Sequence, residues 1–256
     1  LNAMTLDSGN KQTITPDTQA PELTSGSIAT NGQNASTGLA AASVEATIED
    51  NGSGLDWGRL TYTSSLAPDQ TVSIDISDRN LADGNINSGQ YTSSNTFHKN
   101  AANGTWNLTQ AEFRDETGNW SNLYNTNLNS WITENGFTSL ASFNLASSSP
   151  DTVDPVLSKV ILGGAVRDAA TGRFYIPVSV EASDNLSGIR NGELRIAEAN
   201  SGQSAYVWFG DDDDRGTGTT SDPFKSSFVL SEYAAAGTWS LTDAWLYDEA
   251  GNRINL

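Results

Sequence analysis

Polar and apolar residues alternate one for one along several short stretches of this chain, the period of a strand with one buried face. Val44, Ala46 and Ile48 alternate with Glu45, Thr47 and Glu49, and Val72, Ile74 and Ile76 with Ser73, Asp75 and Ser77. Residues 23–28, 57–63, 91–98 and 105–113 read as further strands, with Trp106, Leu108 and Phe113 on the core side of the last. The segment 78–89, rich in Asp, Asn and Gly, reads as a loop. Helical spacing shows once, at Leu128, Trp131 and Ile132, predicting a helix within 126–135 that Gly136 stops, followed by a closing strand over 137–145. Beyond it the same short alternations predict strands at 156–162, 174–182, 192–196, 206–209, 224–230 and 238–247.

The turns between these strands repeat. Asp17-Thr18-Gln19-Ala20-Pro21 returns as Asp151-Thr152-Val153-Asp154-Pro155, and Asp50-Asn51-Gly52-Ser53-Gly54 as Asp184-Asn185-Leu186-Ser187-Gly188, each 134 positions on. Gly104-Thr105-Trp106 and Asp115-Glu116-Thr117-Gly118-Asn119 return as Gly237-Thr238-Trp239 and Asp248-Glu249-Ala250-Gly251-Asn252, 133 positions on. Separate anchors holding nearly one offset mean a duplicated domain. The chain divides into a loose polar lead-in over 1–16, a first unit over 17–149 and a second over 150–256. Seven or so short strands per unit, with turn signals at regular intervals, predict an all-β fold of two tandem immunoglobulin-like β-sandwiches, the first with a short extra helix. Nothing in the second unit answers to residues 126–145, so it is expected to lack its closing strand.

Apolar residues make up only 36% of the 256 while Gly, Ser, Thr and Asn abound, which suits short strands and many turns. The formal net charge of −18 repels nucleic acid and anionic lipid, and both are set aside as partners. There is no cysteine, so disulfides and thiolate metal sites are excluded; export is not. No apolar stretch reaches the roughly 20 residues of a membrane span, and no insertion is expected.

The carboxylates sit in the repeated turns. In a sandwich of this topology the entry to the domain, the turn between its second and third strands and the last hairpin turn lie at one end. Asp17, Asp50 and Asp115 therefore converge, with Glu116 and Asn119 nearby, and so do Asp151, Asp184 and Asp248, with Asp154, Glu249 and Asn252. Two readings of these acids stand. Asp caps turns by accepting backbone N–H bonds, and clustered carboxylates with turn carbonyls are also the usual oxygen supply of Ca²⁺. Asp211 to Asp214 form a second acidic feature, a solvated hairpin tip in which Asp211 or Asp213 offers a further ligand.

The Asp-Thr-x-x-Pro openings, the Asp-Asn-x-Ser-Gly loops and the Gly-Thr-Trp to Asp-Glu-x-Gly-Asn endings together resemble the Ca²⁺-binding immunoglobulin-like, cadherin-like repeats of large bacterial surface proteins, adhesins above all. The resemblance implies bound Ca²⁺, an extracellular or cell-surface location, neighbouring repeats of a longer chain as partners, and a role as spacer or adhesive head against a surface protein or glycan.

Catalysis is not expected. His98 is the sole histidine, read as a residue on an exposed strand, so a Ser-His-Asp triad would have to be built around it, and no Gly-x-Ser-x-Gly elbow is present. Seven tryptophans leave a carbohydrate-binding module as the alternative: Trp106 and Trp239 are matched and expected in the cores, whereas Trp57, Trp120, Trp131, Trp208 and Trp245 are unmatched.

Overall fold

Side chains that alternate along each strand leave one apolar face per sheet, and two such faces close on each other twice along the chain. The computed structural model describes residues 15–210 and 223–256. Asp211 and Asp213, offered above as extra ligands, and most of the lead-in fall outside the described residues.

In the first unit one sheet runs β1 (Glu22–Asn31), β2 (Ala41–Glu49), β6 (Ser88–Thr96), β5 (Leu81–Asn85). The facing sheet runs β4 (Thr71–Ser77), β3 (Leu55–Ser64), β7 (Gly104–Asp115), β8 (Trp120–Tyr124), all pairs antiparallel. The first sheet keeps the four-strand immunoglobulin order, and the second adds the edge strand β4 to the usual three. Its last strand is split. β8 pairs Gln110 to Arg114 of β7, the chain leaves the sheet through helix α1 (Asn125–Asn135), and β9 (Ser142–Leu145) returns to pair Gly104 to Asn107. Gly136 ends α1 in the left-handed conformation, φ 72°, its N–H bonded to Ile132 O. The strand expected over 137–145 is confined to its last four residues. Phe137 and Leu140 instead turn into the core from the segment after the helix, where Leu140 O also accepts the Tyr62 hydroxyl at 3.0 Å.

The second unit repeats the plan with β10 (Val156–Leu162), β12 (Phe174–Ser183) and β15 (Phe224–Leu230) in one sheet, and the two-residue β11 (Val166–Arg167) against β12. Its partner sheet is β14 (Ser204–Gly210), β13 (Ile189–Glu198), β16 (Trp239–Asp248), β17 (Arg253–Asn255). β17 answers to β8. Among the described residues no strand lies where β9 lies in the first unit.

Each unit has its own apolar cluster. Trp106, Phe97 and Phe143 meet edge-on and stacked in the first, with Ile48, Leu60, Ile74 and Phe113 around them. Val180, Leu194, Ile196 and Leu246 centre the second. Short polar strands escaped the period analysis: β5, β8 and β17 carry no alternation that marks a core face. His98 is not on a strand. It lies half-buried in the loop after β6, where its Nδ1 accepts from Asn100 N–H at 3.3 Å.

Leu60 and Leu194 hold matched positions and are both fully buried. Truncating either to Ala is expected to cost about 2–5 kcal/mol; calorimetry should show the melting of the unit that carries the change falling further than that of its neighbour.

Candidate functional site

The three anchors of each unit are turn residues first. Asp50 Oδ1 accepts the N–H groups of Gly52 and Gly54 at 2.9 and 2.8 Å, and Asp184 Oδ2 accepts those of Leu186 and Gly188, both at 2.9 Å. Gly54 and Gly188 close these loops at φ 88° and 94°, a region closed to most side chains. Asp115 Oδ1 accepts from Thr117 and Asn119 N–H, and Asp248 Oδ1 from Gly251 and Asn252 N–H. The entry residue then reaches across: Asp17 Oδ2 accepts Ser53 N–H at 2.6 Å, and Asp151 Oδ2 accepts Ser187 N–H at 2.9 Å. Glu116 N–H to Gly54 O and Glu249 N–H to Gly188 O lash the hairpin turn to the loop.

These bonds bring the carboxylates together. In each of the groups Asp17, Asp50, Asp115 and Asp151, Asp184, Asp248, one oxygen per residue lies within 4.8 Å of the others. Ionised carboxylates at such a separation repel one another. The capping bonds leave oxygens over. Asp50 Oδ2, on a side chain 7% exposed, and Asp184 Oδ1 are buried with no hydrogen-bond partner. They belong to the same residue of the two copies. A buried, unpartnered carboxylate oxygen is costly on its own and is well suited to a cation.

The remaining candidates are placed differently. Asn119 and Asn252 donate Nδ2 to Asp115 and Asp248 Oδ2, both at 2.6 Å, so they aim carboxylates from behind. Glu116 and Asp154 are exposed and Glu249 half-buried, all three outside the triads. Asn87, which sequence reasoning passed over, braces the first loop through Asp50 N–H to its carbonyl at 2.8 Å and its own Nδ2 to Gly52 O at 2.7 Å.

A family model described as a domain of unknown function, DUF7035, matches residues 16–149, more than half of the chain. The chain belongs to the DUF7035 family. The DUF7035 match spans the whole first sandwich with Asp17, Asp50 and Asp115 inside it. No curated protein matches the chain. Among solved structures, a purple acid phosphatase isolated from yellow lupin (Lupinus luteus) seeds is similar at 9% identity and a TM-score of 0.26, over 90% of this chain and 39% of that one. The DUF7035 chain thus spans well under half of that phosphatase, and a likeness so loose says nothing of shared chemistry.

The second triad of the DUF7035 chain lies against the first unit. Gln70, at the end of the β3–β4 turn, donates Nε2 to Asp151 O at 2.6 Å and to Asn252 Oδ1 at 2.9 Å. Asp151 N–H donates to Asn100 O at 2.8 Å, and Arg253 pairs with Asp69 at 2.8 Å. Asp248 is fully buried beside this contact, as its match Asp115 is without one. Burial pushes the Asp248 carboxyl up, against bonds from Asn252 and Gly251 and with the charge of Asp151 acting the same way. Burial also raises matched Asp115, but bonds from Asn119, Thr117 and Gly118 outweigh it and the net shift is downward. Asp17 is lowered by its bonds from Ser53 and Gln19. In Asp184 four backbone N–H bonds overcome the raising effect of burial.

The signs set a pH dependence. Asp17, Asp115 and Asp184 add stability above the usual carboxylate range and lose it as pH falls through their depressed values. Asp248, raised, adds stability in acid and loses it as pH rises through its folded value. In EGTA, a ¹³C-carboxyl titration should therefore show Asp248 ionising above 3.8 and Asp115 below it.

Proposed function

We propose that the chain is a non-catalytic extracellular module of a bacterial surface or secreted protein, stiffened by Ca²⁺ at the entry pole of each sandwich and acting in adhesion or as a spacer. One observation carries the reading: the matched loop aspartates Asp50 and Asp184 each keep a buried oxygen with no protein partner, beside two further carboxylates. The donor set favours a hard cation, since it consists of carboxylates with neither imidazole nor thiolate among them. Carbonyls and water complete a shell of 6–8 oxygens. Such an ion cancels the mutual repulsion of three acids and joins the entry segment, the loop and the hairpin turn. The resemblance of the repeated motifs to bacterial adhesin repeats supports the location and the role. No helix among the described residues is long and apolar enough to cross a membrane.

Calcium at about 100 times its Kd is expected to stabilise each loaded unit by about 2.7 kcal/mol, a rise of several degrees in Tm over EGTA. Asp50→Asn and Asp184→Asn keep a capping oxygen while removing the charge. Each should abolish the calcium-induced rise in its own unit and leave melting in EGTA unchanged or higher. Equal melting curves of the unaltered chain in calcium and EGTA would refute the cation.

A second reading rests on β14, an edge strand on which Tyr206 and Trp208 point to the same side and are 51% and 62% exposed. Paired exposed rings suit the flat faces of sugars. Titrating polysaccharides into the chain should quench tryptophan fluorescence, and Trp208→Ala should remove the change; a silent titration excludes this role.

A further inference from the structure

The far poles of the two units, opposite their carboxylate triads, are built alike. Gln70 ends the β3–β4 turn of the first: its carbonyl accepts Ser64 N–H at 3.1 Å, its Oε1 accepts Ala102 N–H at 2.8 Å, and Ala102 O accepts the Trp106 indole at 3.1 Å. Gln203 ends the β13–β14 turn of the second: its carbonyl accepts Glu198 N–H at 2.9 Å, its Oε1 accepts Ala235 N–H at 2.8 Å, and Ala235 O accepts the Trp239 indole at 3.2 Å. Holding Oε1 fixes where the amide nitrogen points. Gln70 is 1% exposed because its Nε2 is spent on Asp151 O and Asn252 Oδ1 of the second unit. Gln203 is exposed, and its Nε2 has no partner among the described residues.

The receiving surface is duplicated too. Asn119 is bonded to Asp115 at the same 2.8 and 2.6 Å as Asn252 is to Asp248, so its Oδ1 faces outward in the same way. Asn252 is 2% exposed and Gly251 abuts Gln70, whereas Asn119 is half-exposed and Gly118 meets open space. One pole carries an unused donor and the other the matching unused acceptors.

We infer that the Gln203 pole is a seat for the entry pole of a further unit of this kind, Gln203 donating to the carbonyl of Asp17 and to Asn119 Oδ1 of that unit as Gln70 donates within the chain. The contact between the two units is its template. The Asp69–Arg253 ion pair has no counterpart, since the matched positions are Gly202 and Trp120. So few hydrogen bonds do not hold free molecules against the cost of association. A covalent tether supplies the missing effective concentration, as the segment after β9 does between the two units here.

The test joins two full-length copies through a Gly/Ser linker of about twelve residues, long enough to reach roughly 20 Å. The following copy carries Gln203→Ala, so that only the leading copy's Gln203 side-chain amide is seen by ¹⁵N NMR. Its resonance is expected to move toward that of Gln70 and its solvent exchange to slow at least about tenfold relative to the single chain. Asn119→Ala in the following copy should reverse both. So should Gly118→Asn, a residue that tolerates positive φ and clears its own unit but meets Gln203 in the seat. Protection of Gln203 in either calcium or EGTA supports the seat. An amide that keeps its single-chain shift and exchange in both, or protection that survives both substitutions, overturns it.

Discussion

Like charges gathered at one point are the constraint around which each sandwich is arranged. Three aspartates far apart in sequence would separate if the chain were free. They stay because each is held by backbone N–H groups of the turn it sits in, and because the entry aspartate is also gripped by the loop serine across from it. The sheets bring the turns to one end, and the turns bring the carboxylates to one volume. The residual charge and the two orphaned oxygens are what this arrangement leaves over for a ligand.

The two copies differ chiefly in what covers them. Asp115 and Asp248 share the bonds from their asparagine, but only Asp115 also accepts the N–H and hydroxyl of a threonine, and one carboxyl is shifted down and the other up. Two causes act together: Ala250 offers Asp248 no side-chain bond where Thr117 serves Asp115, and the first unit packs against Asp151 and Asn252 beside Asp248. A cation at the second triad would be linked to the first unit through Asn252 and Gln70. Occupancy there would then be coupled to the angle between the units.

Much of this was legible in the residues. The doubled Asp-Thr-x-x-Pro openings and Asp-Asn-x-Ser-Gly and Asp-Glu-x-Gly-Asn turns hold the six carboxylates that the structure groups in threes, because turn chemistry is local and recurs intact. Strict alternation located the strands that carry a buried face. β5, β8 and β17 have mixed or polar faces and left no period to detect. Residues 137–141 misled because buried Phe137 and Leu140 give the same signal whether they enter the core from a strand or from the turn after a helix. Asn119 and Asn252 were placed beside the acids by sequence, but an amide carries donors as well as an acceptor, and here the donors face the acids. The glutamine at the joint was missed although its signal was present: Gln70 and Ala102 recur as Gln203 and Ala235 at the offset of the other anchors. Uncharged residues in a variable turn drew no notice beside the aspartates.

Asp17 and Asp151 each precede the first strand of their unit, five residues ahead of β1 and β10. Tension drawn along the backbone from the N-terminal side therefore reaches the carboxylate knot before it reaches the ladder of either sheet. The knot acts as a strain relief. A pull that would otherwise peel β1 from β2 must first extract an aspartate from the grip of Ser53, and an ion bound there would raise the force at which the first strand begins to detach.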